Sequence, residues 1–187
     1  MSTPPLTYAI LRTRRPTPVG TETMWVESLL FRTSQEAGDL RLNLTPDYQR
    51  GRVWTDQQAS RFVGFLAEGG EAPTIIVQRW PSCRRGAQPL DEVVDGLQRL
   101  TAVLRFARGE IPLETMDGEI AYLRDFSPED QRYLIGTAGL KITLQMVQLA
   151  TRAEVLALYL RLNRGGTPHS ESEIERVRAL LDAERAG

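Results

Sequence analysis

The sequence predicts one α+β domain, a mixed β-sheet with helices around it. Three observations carry this reading. Asp39–Leu44, Thr74–Trp80, Glu92–Val94 and Leu140–Leu149 alternate polar and apolar residues or concentrate β-branched ones, as strands do. Between them lie segments with apolar residues at helical spacing, three of which open on Ser or Thr with Glu or Gln three positions later. Strands and helices also come in mixed order without an internal repeat, over 187 residues, a length that supports one real core.

The N-terminal residues 1–20 are rich in proline, with a basic cluster at Arg12–Arg15, and read as a surface arm in which Thr7–Leu11 could pair as an edge strand. The domain proper is read as residues 21–187. Glu22–Ala37 places Trp25, Val26, Leu29 and Leu30 on one side and is expected to be the first helix. Asp39–Leu44 is the first strand, followed by a polar loop from Thr45 to Trp54. Thr55 and Gln58 form a capping box for a helix with Ala59, Phe62, Val63 and Leu66 inside, ended by Gly69-Gly70. Thr74–Trp80 and the strand before Asp95 are expected to pair as a hairpin across the polar segment Pro81–Pro89. Further on, Glu119–Leu123 reads as a strand, Ser127–Leu134 as a short helix and Leu140–Leu149 as a long strand. Thr151 with Glu154 caps a helix whose inner face is Val155, Leu158, Tyr159 and Leu162. That helix stops at Asn163-Arg164-Gly165-Gly166. Ser170 with Glu173 caps the last helix, which buries Ile174, Val177 and Leu181.

Composition narrows the chemistry. The net charge of −1 gives no global basic footprint for nucleic acid. A single cysteine, Cys83, leaves no disulfide framework or cysteine metal site. A single histidine, His169, leaves almost nothing for zinc or a Ser-His-Asp triad. There is no apolar run long enough to span a bilayer and no secretory hydrophobic core, so a cytoplasmic location is expected.

The chain is organised around Asp91–Gly109, DEVVDGLQRLTAVLRFARG. Val93 and Val94 suit a buried strand, Asp95-Gly96 a tight turn, and Leu97, Leu100, Val103, Leu104 and Ala107 one face of a helix that Gly109 stops. Asp95, Gln98 and Arg99 therefore surround a helix N-terminus, where unpaired N–H groups and the helix dipole favour an anion. Arginine there can grip phosphate with two parallel hydrogen bonds. Asp95 could cap the helix, accept a substrate proton or help hold a divalent ion. Two further polar loops accompany this turn: Tyr48-Gln49-Arg50 with Arg52 and Trp54, and Asn163-Arg164-Gly165-Gly166. If they converge, the arginine-bearing loops and the Gly-Gly loop make a phosphate cradle.

Together, DYQRGRVW, VVDGLQRLTAV and LNRGGTPHSESE resemble, in order and interval, the N-terminal domain family of GmrSD-type restriction endonucleases, within the ParB/sulfiredoxin-like superfamily. The match covers about Leu42 to Leu181. The resemblance implies a ParB-like α+β fold that binds a nucleoside triphosphate (NTP), often with a divalent metal such as Mg²⁺, in chemistry directed at foreign or modified DNA. Matched motif by motif, Asp95, Gly96, Gln98 and Arg99 fall on the family's DGQQR motif. Tyr48, Gln49 and Arg50 fall on its YQR motif, and Asn163, Gly165 and Gly166 on its NxGG loop. Gly96, Gln98, Arg99, Tyr48, Gln49, Arg50, Asn163, Gly165 and Gly166 are thus the expected nucleotide contacts. Asp95, Arg99 and Arg50 are the expected catalytic groups, and Asp95 the expected metal partner.

There are departures. Leu97 replaces the first glutamine of the central motif, and His169 stands where leucine is common. The sequence leaves no room after the last helix for the HNH-type nuclease domain that usually accompanies this family, so DNA cleavage is expected to involve a separate nuclease or modification partner. The leading expectation is NTP binding and hydrolysis in DNA transactions. A phosphotransferase moving phosphate to a hydroxyl, on a small molecule or a modified base, is the second. A non-catalytic module binding nucleic acid or protein, with Leu97 marking lost activity, is the third.

Overall fold

The computed structural model describes residues 18–51, 53–80, 91–136, 139–163 and 171–186. Its centre is a five-stranded mixed sheet. The strands are β1 (Pro18–Trp25), β2 (Leu42–Asn43), β3 (Ile75–Arg79), β4 (Asp91–Asp95) and β7 (Lys141–Val147), in the order β1-β7-β3-β4-β2. β1 runs antiparallel to β7, β7 parallel to β3, β3 antiparallel to β4, and β4 parallel to β2. Two residues each of β5 (Leu113–Glu114) and β6 (Ile120–Ala121) form a separate small ribbon. All four stretches expected in one mixed sheet contribute to it, and the α+β class is as read.

Alternation along the central strands sorts the core onto two faces. Ile75 and Val77 of β3, Val93 of β4, and Ile142, Leu144 and Met146 of β7 pack with α1 (Val26–Arg32), α2 (Asp56–Ala67) and α3 (Leu97–Ala107). Val94 of β4 and Val147 of β7 pack on the other side with Tyr48, Trp80, α5 (Arg152–Leu162) and α6 (Glu171–Ala186). A further helix, α4 (Pro128–Ile135), starts at Ser127, whose hydroxyl accepts from the Asp130 amide, and buries none of its side chains. Complete capping boxes open α2 at Thr55/Gln58 and α5 at Thr151/Glu154. Each cap is worth about 1 kcal/mol, which matters for helices of 12 and 11 residues.

Two expectations about the first third are corrected. Glu22–Trp25 are strand, not helix: β1 pairs with β7 over nearly its whole length, so Pro18–Gly20, read as the end of the arm, begin a sheet strand and α1 starts only at Val26. The helical spacing from Trp25 to Leu30 is real but short, and ladder hydrogen bonds to β7 outweigh local propensity. Asp39–Leu44 supplies only Leu42–Asn43 as strand. Its first residues close a 3₁₀ turn, Gln35–Leu40, in which Gly38 takes φ 52°, ψ −123°. Likewise Glu119–Leu123 is strand only at Ile120–Ala121, and Leu123 begins a 3₁₀ turn.

Thr7–Leu11, Arg52, Cys83, the Gly165-Gly166 pair, His169 and the Ser170 cap lie outside the described residues.

A charged cluster ties the β1 edge to the sheet centre. Asp91 on β4 accepts from Arg32 of α1 and from Arg79 of β3, whose Nε and Nη2 are both 3.1 Å from it. Glu22 of β1 closes the group on Arg79 at 3.4 Å and Arg32 at 3.7 Å. Arg32 and Asp91 are both buried, so each is tolerable only while the other is present.

Candidate functional site

β4 ends in the sharp Asp95-Gly96 turn and α3 begins immediately. Gly96 is the N-cap residue, with φ 89°, ψ 14°. A Cβ there would lie 2.8 Å from Ile75 Cγ1 and 3.0 Å from Arg99 Nη2, so both backbone angle and space demand glycine. Glycine has no side chain to cap the turn, and no acidic residue occupies the first turn of α3. The helix opening is thus left to other donors and acceptors.

Asp95 and Arg99 face each other across this turn. Arg99 Nη2 is 2.9 Å from Asp95 Oδ2, and Arg99 Nη1 donates to the Pro73 carbonyl ahead of β3. The guanidinium is largely covered, at 15% side-chain exposure, while the carboxylate is one-third exposed. The expected phosphate arginine therefore rests in an i, i+4 ion pair with the expected acid.

Gln98 joins the turn to the Tyr48 loop. Its Oε1 accepts from the amides of Val53 at 3.0 Å and Trp54 at 3.2 Å, and its Nε2 donates to the Gly51 carbonyl at 3.1 Å. The whole carboxamide is engaged with loop main chain. Gln49 performs a parallel role at the end of β4, where its Nε2 donates to the carbonyls of Val93 and Val94, each at 2.9 Å. Tyr48 is fully buried, stacked edge-on against Tyr159 with ring centroids 5.2 Å apart. Its hydroxyl serves the interior: burial and then the charge of nearby Glu92 push the phenol far above its ordinary value, so it stays protonated, and it donates to the Val93 carbonyl at 3.4 Å.

Arg50, half-buried, sits beside α5, where its backbone N–H donates to the Tyr159 hydroxyl. Asn163 closes the same helix, with Nδ2 donating to the Tyr159 carbonyl at 2.8 Å. The three motifs are thus linked in sequence: Asp95-Arg99 to the Tyr48 loop through Gln98, and that loop to the Asn163 end of α5 through Tyr159.

Three residues of this region have no place in the sequence reading. Glu92 shares the face of β4 with Val94 and is 4% exposed. Burial raises its carboxyl above the ordinary value, while hydrogen bonds from Tyr48 and the Trp80 indole oppose the rise. Its period-two partnership with the buried Val94 is the one local signal, and Asp91 and Asp95 in the same short strand obscure it. Arg176 of α6 donates to the carbonyls of Asp47, of Tyr48 at 3.2 Å and of Gln49 at 3.3 Å. Arg152 of α5 pairs with the Asp47 carboxylate and with Glu184 at 3.1 Å. Nothing local distinguishes these two arginines from others on polar helix faces.

Among the described residues no group of three metal-binding side chains gathers anywhere. Asp95 fits Mg²⁺ only in the manner of a nucleotide-borne ion, which takes one or two carboxylates and completes its shell with phosphate oxygens and water. No described helix is long and apolar enough to cross a membrane.

A mixed sheet with a strand–turn–helix in it, and a polar loop fastened to the opening of that helix, defines a class of ParB-like α+β domains. The model of the family described as "GmrSD restriction endonuclease, N-terminal domain" matches residues 29–180, and the chain belongs to that family. No curated protein and no solved structure matches the chain.

Proposed function

We propose that this domain binds a nucleoside triphosphate at the Asp95-Gly96 opening of α3 and uses it in DNA restriction. The family is that of a restriction endonuclease, which supports a role in DNA defence. The observation that carries the nucleotide reading is the junction made by Gln98. It fastens the Arg50 loop to the first turn of α3, so that Arg99 and Arg50 belong to two segments meeting at one uncapped helix N-terminus. Arg99 would exchange Asp95 for phosphate oxygens, and Asp95, released, would face the nucleotide as base or as the carboxylate partner of Mg²⁺. Mg²⁺ would supply charge neutralisation on the phosphates. Arg50 would stabilise charge on the transferring group, since phosphoryl transfer needs mainly positioning and positive charge.

A specific observation favours a second reading, a non-catalytic module. The carboxamide of Gln98, the Nε2 of Gln49, the Tyr48 hydroxyl and the Arg99–Asp95 pair all satisfy one another or the main chain. Product analysis with labelled nucleotide and DNA separates the readings. Released inorganic phosphate supports hydrolysis, label on an acceptor hydroxyl supports a phosphotransferase, and binding without turnover supports the module. Absence of nucleotide binding across ATP, GTP, CTP and UTP with Mg²⁺ overturns the proposal.

A further inference from the structure

The segment bearing Arg50 is held from two sides by side chains that bond its main chain. Gln98 takes the C-terminal half, through Gly51, Val53 and Trp54. Arg176, from the last helix, takes the N-terminal half through three consecutive carbonyls, Asp47, Tyr48 and Gln49. Three carbonyls turned to one guanidinium fix the path of the chain immediately before Arg50, and a planar five-donor fork suits that task where an ammonium would not. The Arg152–Asp47 pair and the Tyr159 hydroxyl on the Arg50 amide brace the same segment from α5.

We propose that Arg176 is a positioning residue for Arg50, so that the docking of α6 sets the geometry of the nucleotide site. This rests on the nucleotide reading above. The side chain itself is at the surface and α6 is anchored independently by Val177 and Leu181, so the bonds to the loop are separable from the fold. α6 contacts the loop but supplies none of the groups expected to meet phosphate. Because the side chains of Tyr48 and Gln49 are bonded inward to β4, the effect of α6 would pass through Arg50.

The experiment compares wild type with Arg176→Ala, Arg176→Lys, Arg50→Ala, the double variant Arg50→Ala/Arg176→Ala, and Arg178→Ala as a control on the exposed surface of the same helix. Amide hydrogen exchange over residues 47–54 reads the loop without nucleotide. Titration with ATP, GTP, CTP and UTP, each with Mg²⁺, reads the site. The expected result for Arg176→Ala is exchange at 48–51 faster by about tenfold and affinity weaker by about tenfold. Arg176→Lys recovers little of either, and Arg178→Ala changes neither. The double variant binds no more weakly than Arg50→Ala alone, as two residues acting through one contact require. Unchanged exchange in Arg176→Ala overturns the positioning role. So does faster exchange with wild-type affinity in a protein where Arg50→Ala weakens binding. If wild type binds none of the four nucleotides, the functional reading fails first and the positioning proposal with it. The exchange arm then identifies Arg176 as a loop fastener only.

Discussion

Arg99 lies one helical turn after Asp95, with its guanidinium 2.9 Å from the carboxylate and its other nitrogen on the Pro73 carbonyl. The two residues singled out as phosphate ligand and acid thus neutralise each other in the resting domain. An i, i+4 pair of this kind stabilises by about 0.3–0.5 kcal/mol when exposed and somewhat more when partly covered. A charge-assisted bond to phosphate is worth about 1.5–3 kcal/mol. Phosphate can therefore compete for the arginine.

Arg99→Ala is expected to weaken nucleotide binding tenfold or more while the melting temperature falls by only a few degrees. Arg99→Lys should recover little affinity, because a point charge does not reproduce the fork. Asp95→Asn should leave or improve affinity for nucleotide without metal and abolish turnover. Calorimetric titration and thermal melts on the three variants provide the check. A large loss of stability with unchanged affinity would make the pair purely structural.

Gln98→Ala removes one acceptor and one donor that serve three loop groups. The loop is near the surface, so water partly replaces them and a loss of about 1–2 kcal/mol is expected. Trp54 packs edge-on against Phe62, with centroids 5.4 Å apart, so its fluorescence should report the loosened loop. Gln98→Glu keeps the acceptor but loses the donor to Gly51, and should recover part of the stability. A Gln98→Ala protein as stable as wild type, with an unchanged Trp54 signal, contradicts the fastening role.

Gly96→Ala should be the most damaging small substitution in the central motif. A left-handed residue costs about 1–2 kcal/mol when it carries a Cβ, and the added atom would press on Ile75 at 2.8 Å. Denaturant melts should show a loss of at least about 2 kcal/mol. A loss under half of that would mean that the turn relaxes freely.

Glu92 gives the domain a signed pH dependence. Burial raises its carboxyl above the unfolded value of 4.5, against bonds from Tyr48 and Trp80 and the nearby Arg152 charge, with Asp47 adding to the rise. The folded state then holds the proton more tightly than the unfolded state. Its contribution is fully present below pH 4.5 and is lost as pH rises through the folded value. Glu92→Gln keeps an acceptor for the two donors and carries no charge. It is expected to melt above wild type at pH 8, with the gap closing as pH falls towards 4. Parallel melting curves for the two proteins across that range would refute a titrating Glu92.

How much of this was legible in the sequence varies along the chain. The strand–turn–helix of Asp91–Ala107, the caps at Thr55 and Thr151, and the four sheet strands were readable because each carries a local signal, whether periodicity, a turn glycine or a capping pair. The first helix was misplaced because Pro18–Trp25 becomes strand only by pairing with Lys141–Val147, a partner over a hundred residues away. No local pattern encodes such a pairing.

The site divides in the same way. The sequence by itself singled out the loops as candidates, since Asp95-Gly96, Tyr48-Gln49-Arg50 and Asn163 are motifs of residue type and spacing, whereas the need for glycine at 96 comes from the backbone angle and the approach of Ile75. Only the tertiary structure decided what those side chains do at rest. It turned Gln98 and Gln49 onto main chain, buried Tyr48 against Glu92, paired Arg99 with Asp95, and brought Arg176 from the last helix to the Arg50 loop. The reason is physical. Hydrogen bonds and ion pairs act over a few ångströms of space, and groups distant in sequence become partners only when the sheet and its two helical layers set them side by side.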